Sequence, residues 1–263
     1  MVSHTDPAGF AAAMAKGASA LGQAHDGTHH SLSQPLMRRY EISALTPDGQ
    51  EVSATRGLIA EPLIDEAFTA FARGTLFTTT EGPVAVEDLY PGMMLDTADA
   101  GPQRLLWVGS TLLAPPRGPE PPETPLLTRI SADSLGIGRP MPDLVLGPRA
   151  RMLVRYPGCA TVLNSDAAFA PASSFIDGVA FVGLNVVQPT RVYHLALASQ
   201  HILLANGVEV ESYHPGENVL PLMNRDSLGR FLSLFPHLQS HTGFGTMVLP
   251  RLTTFEAERL SAA

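Results

Sequence analysis

The sequence predicts a mainly β protein made of short strands and hairpins, with small helical extensions. Its 263 residues include 23 Gly and 23 Pro, which favours many turns over long helices. Residues 70–109 alternate short runs of β-branched, aromatic and aliphatic residues with turn signals such as Tyr90-Pro91-Gly92. Further along, Asn206-Gly207 lies between two apolar runs, and this dipeptide is typical of a tight β-hairpin turn.

Composition limits the kinds of partner that the protein is expected to bind and the cellular compartment in which we expect it. The formal net charge of -8 argues against a nucleic-acid partner or an anionic membrane, since both select clustered Lys and Arg. The single cysteine, Cys159, excludes an intramolecular disulfide, and we expect it in a turn at 156–159 as a small buried or incidental residue. The N-terminus lacks the pattern of a signal peptide, so a cytoplasmic protein is the default expectation, and export without a cleaved signal stays open.

Three segments, taken in order, resemble the Hint (Hedgehog/intein) domain, particularly that of bacterial Hint-domain proteins. The first contains Phe71-x-x-Gly74-Thr75, Val86-Glu87-Asp88-Leu89 and Trp107-x-Gly109. The second runs from Asp143-Leu144 to Pro148, Arg151 and Leu153, and the third is the stretch 193–213 with its closing hairpin. Together they cover roughly residues 68–216, and the resemblance implies a β-rich, horseshoe-shaped Hint fold.

The resemblance also implies an ancestral self-cleavage or protein-splicing activity, with two central positions changed. The family's nucleophilic cysteine corresponds to Ala70, and the histidine that protonates the departing amide nitrogen corresponds to Ala150. Met93 replaces the family's turn aspartate, and Gly147 replaces a serine. Natural loss and deliberate substitution to trap an uncleaved precursor are both compatible with these alanines.

An alanine methyl can neither attack a carbonyl nor donate a proton, so the acyl shift at the Thr69–Ala70 bond is expected to be closed. Two hypotheses follow. The chain is a self-processing domain that is degenerate for this step, or it is a non-catalytic binding or scaffold module. Its partner is then its own N-terminal segment or another peptide or protein. No sequence motif indicates a cofactor or a metal, so we expect neither.

Four polar residues are further candidates for the site. His194 and His201 both fall in the predicted closing hairpin, as hydrogen-bonded strand-end residues or as catalytic groups. Thr75 carries a hydroxyl that suits a structural role better than attack on another carbonyl. Asp143 either orients the missing histidine or caps a turn, and the second role is favoured.

Extensions are expected on both sides, at residues 1–67 and 217–263. In the first, residues 10–16 suit a short helix, and residues 40–55 suit a hairpin that forms a small leader subdomain or joins the main sheet. We favour a solvated loop for the polar segment 22–33. The alternative is a metal site, with His25, Asp26, His29 and His30 as the potential ligands.

Proline density makes residues 114–123 an exposed extended loop, with an SH3-type ligand as a weak alternative. In the C-terminal extension, Leu228, Phe231, Leu232 and Phe235 have helical spacing, and Thr253 with Glu256 forms a capping box for a final short helix. We expect these apolar residues to dock on the body of the domain, with a partner-binding helix as the less favoured alternative.

Overall fold

A computed structural model describes residues 36–115, 126–217, 219–238 and 243–261. The expected helix at 10–16, the polar segment with its histidines and most of the proline-dense loop lie outside the described residues. The strands in chain order are β1 (Met37–Leu45), β2 (Glu51–Ile59), β3 (Phe71–Ala72), β4 (Leu76–Thr79), β5 (Gly82–Ala85), β6 (Met94–Thr97), β7 (Gly101–Arg104), β8 (Trp107–Leu113), β9 (Leu126–Ile130), β10 (Leu144–Leu146), β11 (Arg151–Val154), β12 (Ala168–Pro171), β13 (Phe181–Asn185), β14 (Thr190–Ala196), β15 (Ile202–Ala205) and β16 (Val208–Glu211).

These strands form two antiparallel sheets. The first has the order β13-β9-β10-β3-β14-β8-β1-β2, and the second has the order β12-β11-β16-β15-β4-β6-β7 with β5 paired to β4. The short strands and tight turns expected within 70–109 are present, and they are divided between both sheets. The prediction of a mainly β fold is therefore confirmed.

The main core lies between the sheets. Phe71, Val108 and Leu195 of the first sheet meet Phe77 and Leu203 of the second, and all five are buried. This packing is what the alternation of apolar and polar residues along the strands requires, since one face of each strand must be buried.

A second core lies on the opposite face of the first sheet. Tyr40, Trp107 and Phe68 pack there against Phe231 and Phe235 of the C-terminal part, and all five rings are buried. The Trp107 indole N–H donates to the Leu234 carbonyl at 2.7 Å, so its only polar atom is satisfied. The expected docking of these apolar residues is therefore observed.

Within the described residues, four short helices accompany the sheets: α1 (Pro62–Glu66), α2 (Pro157–Leu163), α3 (Arg225–Leu232) and α4 (Thr254–Ser261). The capping box of α4 is confirmed, because Thr253 N–H donates to Glu256 Oε2 at 2.8 Å and Glu256 N–H donates to Thr253 Oγ1 at 3.3 Å. The expected turn at Cys159 is wrong, because this buried residue lies within α2, which begins at Pro157. Phe235 lies in the turn that follows α3, not in the helix, and its ring still packs in the second core.

Two hairpin predictions are confirmed in register. Strands β1 and β2 pair from Met37↔Ile59 to Leu45↔Glu51, and β1 also pairs with β8, so this hairpin belongs to the main sheet. In the β15–β16 hairpin, Asn206 and Gly207 have φ of 47° and 80°, the left-handed values that this turn requires. Three short 3-10 helices, at Val86–Asp88, Ala172–Phe175 and Leu220–Leu222, complete the described elements.

Candidate functional site

The Thr69–Ala70 linkage lies between α1 and β3, and both residues are buried. Ala70 N–H donates to the Tyr193 carbonyl at 3.0 Å, and the Ala70 carbonyl accepts from Gly147 N–H at 2.7 Å. The Thr69 carbonyl, which is the one that an acyl shift would attack, accepts from Arg149 N–H at 3.1 Å. The linkage is therefore held on both sides by backbone hydrogen bonds.

The turn at residues 147–150 brings Ala150, the predicted histidine position, close to Ala70, the predicted nucleophile position. Ala150 N–H donates to the Gly147 carbonyl at 3.2 Å, and the Ala150 carbonyl accepts from Ala172 N–H at 2.9 Å. Gly147 has no room for a side chain, since a Cβ there would lie 2.2 Å from the Thr69 carbonyl oxygen. Glycine is therefore required at residue 147, where the turn lies in close contact with the Thr69–Ala70 linkage, and a serine would not fit this backbone.

The side chains at the two predicted positions are apolar and buried. Ala70 and Ala150 are 0% and 2% exposed, and both belong to the core between the sheets. The nearest hydroxyls along the chain serve local structure, because Thr69 Oγ1 donates to the Asp65 carbonyl at 2.7 Å and Thr75 Oγ1 donates to the Ala72 carbonyl at 2.8 Å. Neither hydroxyl is placed as a free nucleophile.

His194 is close to this linkage but is placed as a neutral core residue. Its ring centroid lies 5.3 Å from that of Phe71 and 5.2 Å from that of Tyr213, and its Nδ1 accepts from Leu195 N–H at 3.1 Å. Burial, assisted by the charge of Arg251, lowers the pKa of His194 to about 3. A histidine with this pKa is uncharged near neutral pH, so it is not a cationic proton donor there.

The expectation that both histidines lie in the closing hairpin is wrong for His194. It belongs to β14 in the first sheet, whereas His201 immediately precedes β15 in the second. The chain passes from one sheet to the other between them, a change of direction for which the apolar pattern gives no sign.

His201 is part of a hydrogen-bonded pair that sequence analysis missed. Its Nδ1 lies 2.8 Å from Asp99 Oδ2, and Asp99 Oδ1 accepts from Ile202 N–H at 2.8 Å. Ser212 Oγ accepts from His201 N–H at 2.8 Å. Asp99 is 102 positions away, in the turn of the β6–β7 hairpin, so no local spacing could have linked the two residues.

Asp143 and Asn206 hold the loop that precedes β10. Asp143 Oδ1 accepts from Ala132 N–H at 2.8 Å, across 11 positions of the chain. The Asn206 side chain accepts from Leu76 N–H at 2.7 Å and donates to the Pro142 carbonyl at 3.0 Å. Both side chains therefore connect loops to strands.

A buried charged group at the end of β16 was also missed. Glu211 is 3% exposed, and its Oε1 lies 2.7 Å from Arg251 Nε, while Arg151 Nε lies 3.7 Å from Oε2. Gln200 donates to the same carboxylate, and Arg251 also lies 3.7 Å from Glu66. Burial raises the pKa of Glu211, against the opposing effect of the Arg251 charge.

An open cleft of about 530 Å³ lies on the first sheet, beside the described strands β1, β2, β8 and β14. Arg191 Nη1 lies 2.5 Å from Glu41 Oε2 and 3.1 Å from Ser110 Oγ within it. Glu87 closes one side and accepts from Gly74 N–H at 2.8 Å, so this part of the Val-Glu-Asp-Leu motif fixes the turn before β4. The cleft is thus lined by apolar side chains and by charged and hydroxyl side chains that are partly paired with one another.

Within the described ranges, no group of three or more His, Cys, Asp or Glu side chains is arranged to hold a metal ion. Among the same residues, no helix is long and apolar enough to cross a membrane.

Comparison with known proteins identifies the family. The model of the Hint domain family matches residues 69–217, and no curated protein sequence matches the chain. The solution structure of a bacterial intein-like domain from Clostridium thermocellum is 13% identical, with a TM-score of 0.38, and covers 56% of this chain and 99% of that one. The splice-inactive AceL NrdHF class 3 split intein is 12% identical, with a TM-score of 0.39 and coverage of 56% and 99%. The MchDnaB-1 intein is 16% identical, with a TM-score of 0.34 and coverage of 55% and 100%.

The matched region begins at the Thr69–Ala70 linkage and ends just after the β15–β16 hairpin, so it contains both predicted positions and the turn that joins them. It spans more than half of the chain. The chain belongs to the Hint domain family, and its fold is mainly β.

Proposed function

We propose that this protein is a Hint module that leaves its own chain intact and serves as a binding or scaffold module for a peptide or protein. The observation that carries the proposal is the position of the residues before Ala70. In a self-cleaving arrangement they would be the segment that is released, but here they form part of the sheet and of the second core.

The chemistry supports an inactive linkage. An N-to-S or N-to-O acyl shift needs a thiol or hydroxyl at residue 70 to attack the Thr69 carbonyl carbon, while the departing nitrogen gains a proton. Ala70 offers no nucleophile and Ala150 no proton donor. His194, the nearest imidazole along the neighbouring strand, is held neutral by burial.

The structural role of the preceding segment supports the same conclusion. Strand β1 lies between β8 and β2, with hydrogen-bonded neighbours on both sides. The Phe68 ring packs at 4.7 Å from that of Tyr40 and at 5.2 Å from that of Trp107. Arg38 pairs with Asp65 of α1 at 2.6 Å between Nη1 and Oδ1. Cleavage after Thr69 would cut the chain, but the first sheet and the second core would still hold this segment. The reaction would therefore not release the segment from the domain.

The open cleft supports the binding part of the proposal. Its charged and hydroxyl lining suits the backbone and polar side chains of an extended peptide better than an apolar ligand. Most of the residues that line it lie on hydrogen-bonded strands of the first sheet, which favours a preformed surface.

Intact mass spectrometry of the full chain, after prolonged incubation with and without dithiothreitol, tests the proposal. We expect one full-length mass under both conditions, and fragments that end at Thr69 would contradict it. The double variant Ala70→Cys with Ala150→His, compared with Ala70→Cys alone, tests the chemical reason. Thiol-induced cleavage in the double variant only would show that the missing groups close the reaction, whereas an uncut double variant would assign the block to the backbone packing around Gly147.

A further inference from the structure

Strand β2 is an open edge of the first sheet. It is nine residues long, and none of the described residues pairs with its outer side. The edge strands of the second sheet are shorter, and each contains a proline: Pro83 in β5, Pro102 in β7 and Pro171 in β12. Proline and charge are the usual protection of a sheet edge, whereas β2 has no proline and only Glu51 and Arg56 as charged residues.

The hydrogen bonds of the β1–β2 hairpin show which backbone groups of β2 face outward. Thr46 N–H donates to the Gln50 carbonyl at one end, and Ala60 N–H donates to the Leu36 carbonyl at the other, both at 2.8 Å. In an antiparallel ladder, hydrogen-bonded pairs alternate with pairs whose N–H and C=O groups point away. The observed register then directs the following residues outward: Glu51, Ser53, Thr55, Gly57 and Ile59.

The side chains of β2 alternate between the two faces of the sheet. Ser53 and Thr55 line the cleft on one face, whereas Val52 and Leu58 pack against the second core on the other. The Thr55 carbonyl is approached by the neighbouring Arg56 guanidinium at 3.4 Å, an exposed and weak contact that a stronger backbone partner would displace.

We propose that β2 pairs with β2 of a second copy of this chain, antiparallel and with the two-fold axis at Thr55. This inference does not depend on the proposed binding function. A symmetric antiparallel pair centred on Thr55 brings every outward-facing residue opposite another outward-facing one. In that register Glu51 of one copy faces Ile59 of the other, Ser53 faces Gly57, and Thr55 faces its own equivalent.

The strand is complementary to itself in charge and in shape. Arg56 lies opposite Ala54, so no like charges face each other, and opposed like charges are what destabilise a cross-strand pair. Val52 lies opposite Leu58, so the apolar face of the second core would continue from one copy to the next. Moving the register along the strand shortens the overlap and leaves outward N–H and C=O groups without partners.

This pairing also changes the cleft. Ser53 and Thr55 line it at its open side, so the clefts of two copies would adjoin on the same face around the axis. An edge-to-edge contact buries less than the roughly 1,200 Å² of stable interfaces, so we expect an association that depends on concentration.

Sedimentation velocity of the full chain, over a concentration series from micromolar upward, tests the pairing. We expect a monomer–dimer equilibrium that Thr55→Pro abolishes and Thr55→Ala retains. Proline at residue 55 removes an outward N–H but no bond to β1, and alanine keeps that N–H. Circular dichroism checks that both variants fold alike. A wild-type chain that stays monomeric at every concentration, or a Thr55→Pro variant that dimerises normally, would overturn the proposal.

Cross-linking provides a second test that does not need the proline variant to fold. Residues opposite each other in a hydrogen-bonded antiparallel pair have Cα atoms about 5.5 Å apart, within disulfide range. Thr55→Cys should therefore form a disulfide-linked dimer under mild oxidation, while Gln50→Cys, exposed but far from its own equivalent, should not. Equal cross-linking of both variants, or none in either, would contradict the assigned register, and binding of an added extended peptide to a monomeric chain would assign the edge to another partner.

Discussion

Replacement of Phe68 by alanine tests whether the segment before Ala70 is a structural part of the domain. Phe68 is fully buried, and its ring contacts those of Tyr40 and Trp107. Removing such a side chain costs both its transfer free energy and a cavity, about 3–5 kcal/mol in total. The melting temperature of a domain of this size should then fall by roughly 6–20 °C.

The assay is equilibrium unfolding in urea, followed by far-ultraviolet circular dichroism and by fluorescence. The sequence contains a single tryptophan, Trp107, so the tryptophan fluorescence reports on the second core. The matched control is Phe255→Ala, because that ring is 65% exposed and its centroid lies 5.5 Å from the Arg259 guanidinium. We expect the control to change the free energy of unfolding by less than about 1 kcal/mol. A similarly small change for Phe68→Ala would refute the structural role of the segment.

Two further predictions concern Gly147 and His237. Gly147→Ala should destabilise the fold by about 1–3 kcal/mol or more, since its Cβ would meet the Thr69 carbonyl oxygen, whereas Gly229→Ala, in open space on α3, should be neutral or stabilising by up to about 1 kcal/mol in the same unfolding assay. Burial lowers the pKa of His237 to about 4, whereas its pKa in the unfolded chain is 6.5. Between these two values the unfolded chain binds the proton and the folded chain does not, so the contribution of the neutral His237 to the free energy of unfolding is complete above pH 6.5 and is lost as the pH falls towards 4. His237→Phe should therefore reduce the loss of stability between pH 7 and pH 4.5 by about 2–3 kcal/mol, and an unchanged pH dependence would contradict this.

The features that sequence analysis predicted well depend on neighbours along the chain. The Asn206-Gly207 turn and the Thr253 capping box each need only a few adjacent residues, so their chemistry is visible in the sequence. The helix that contains Cys159 was missed even though Pro157 is a residue typical of a first helical turn, because Tyr-Pro-Gly was interpreted as a turn alone.

The features that were missed depend on residues brought together by the fold. Asp99 meets His201 only because the β6–β7 turn lies beside the start of β15. Arg251 meets Glu211 through the return of the chain after α3, and no periodicity marks either residue. Family resemblance placed Ala70 and Ala150 at one site, and the backbone bonds through Gly147 bring them together there; their roles as vacated catalytic positions stay predictions.

The ion pairs of Arg251 determine how much of the chain must be kept when this domain is moved into another protein. Its guanidinium connects Glu66, which precedes the region matched by the family, with Glu211 inside it, and Arg251 itself follows that region. A segment limited to residues 69–217 would retain the buried Glu211 carboxylate and lose this cation, and breaking a buried pair in this way typically costs about 3–5 kcal/mol. Recombination at the edges of the family match would thus yield a weakened protein, and a transplanted domain would need residues on both sides of the match to keep its stability.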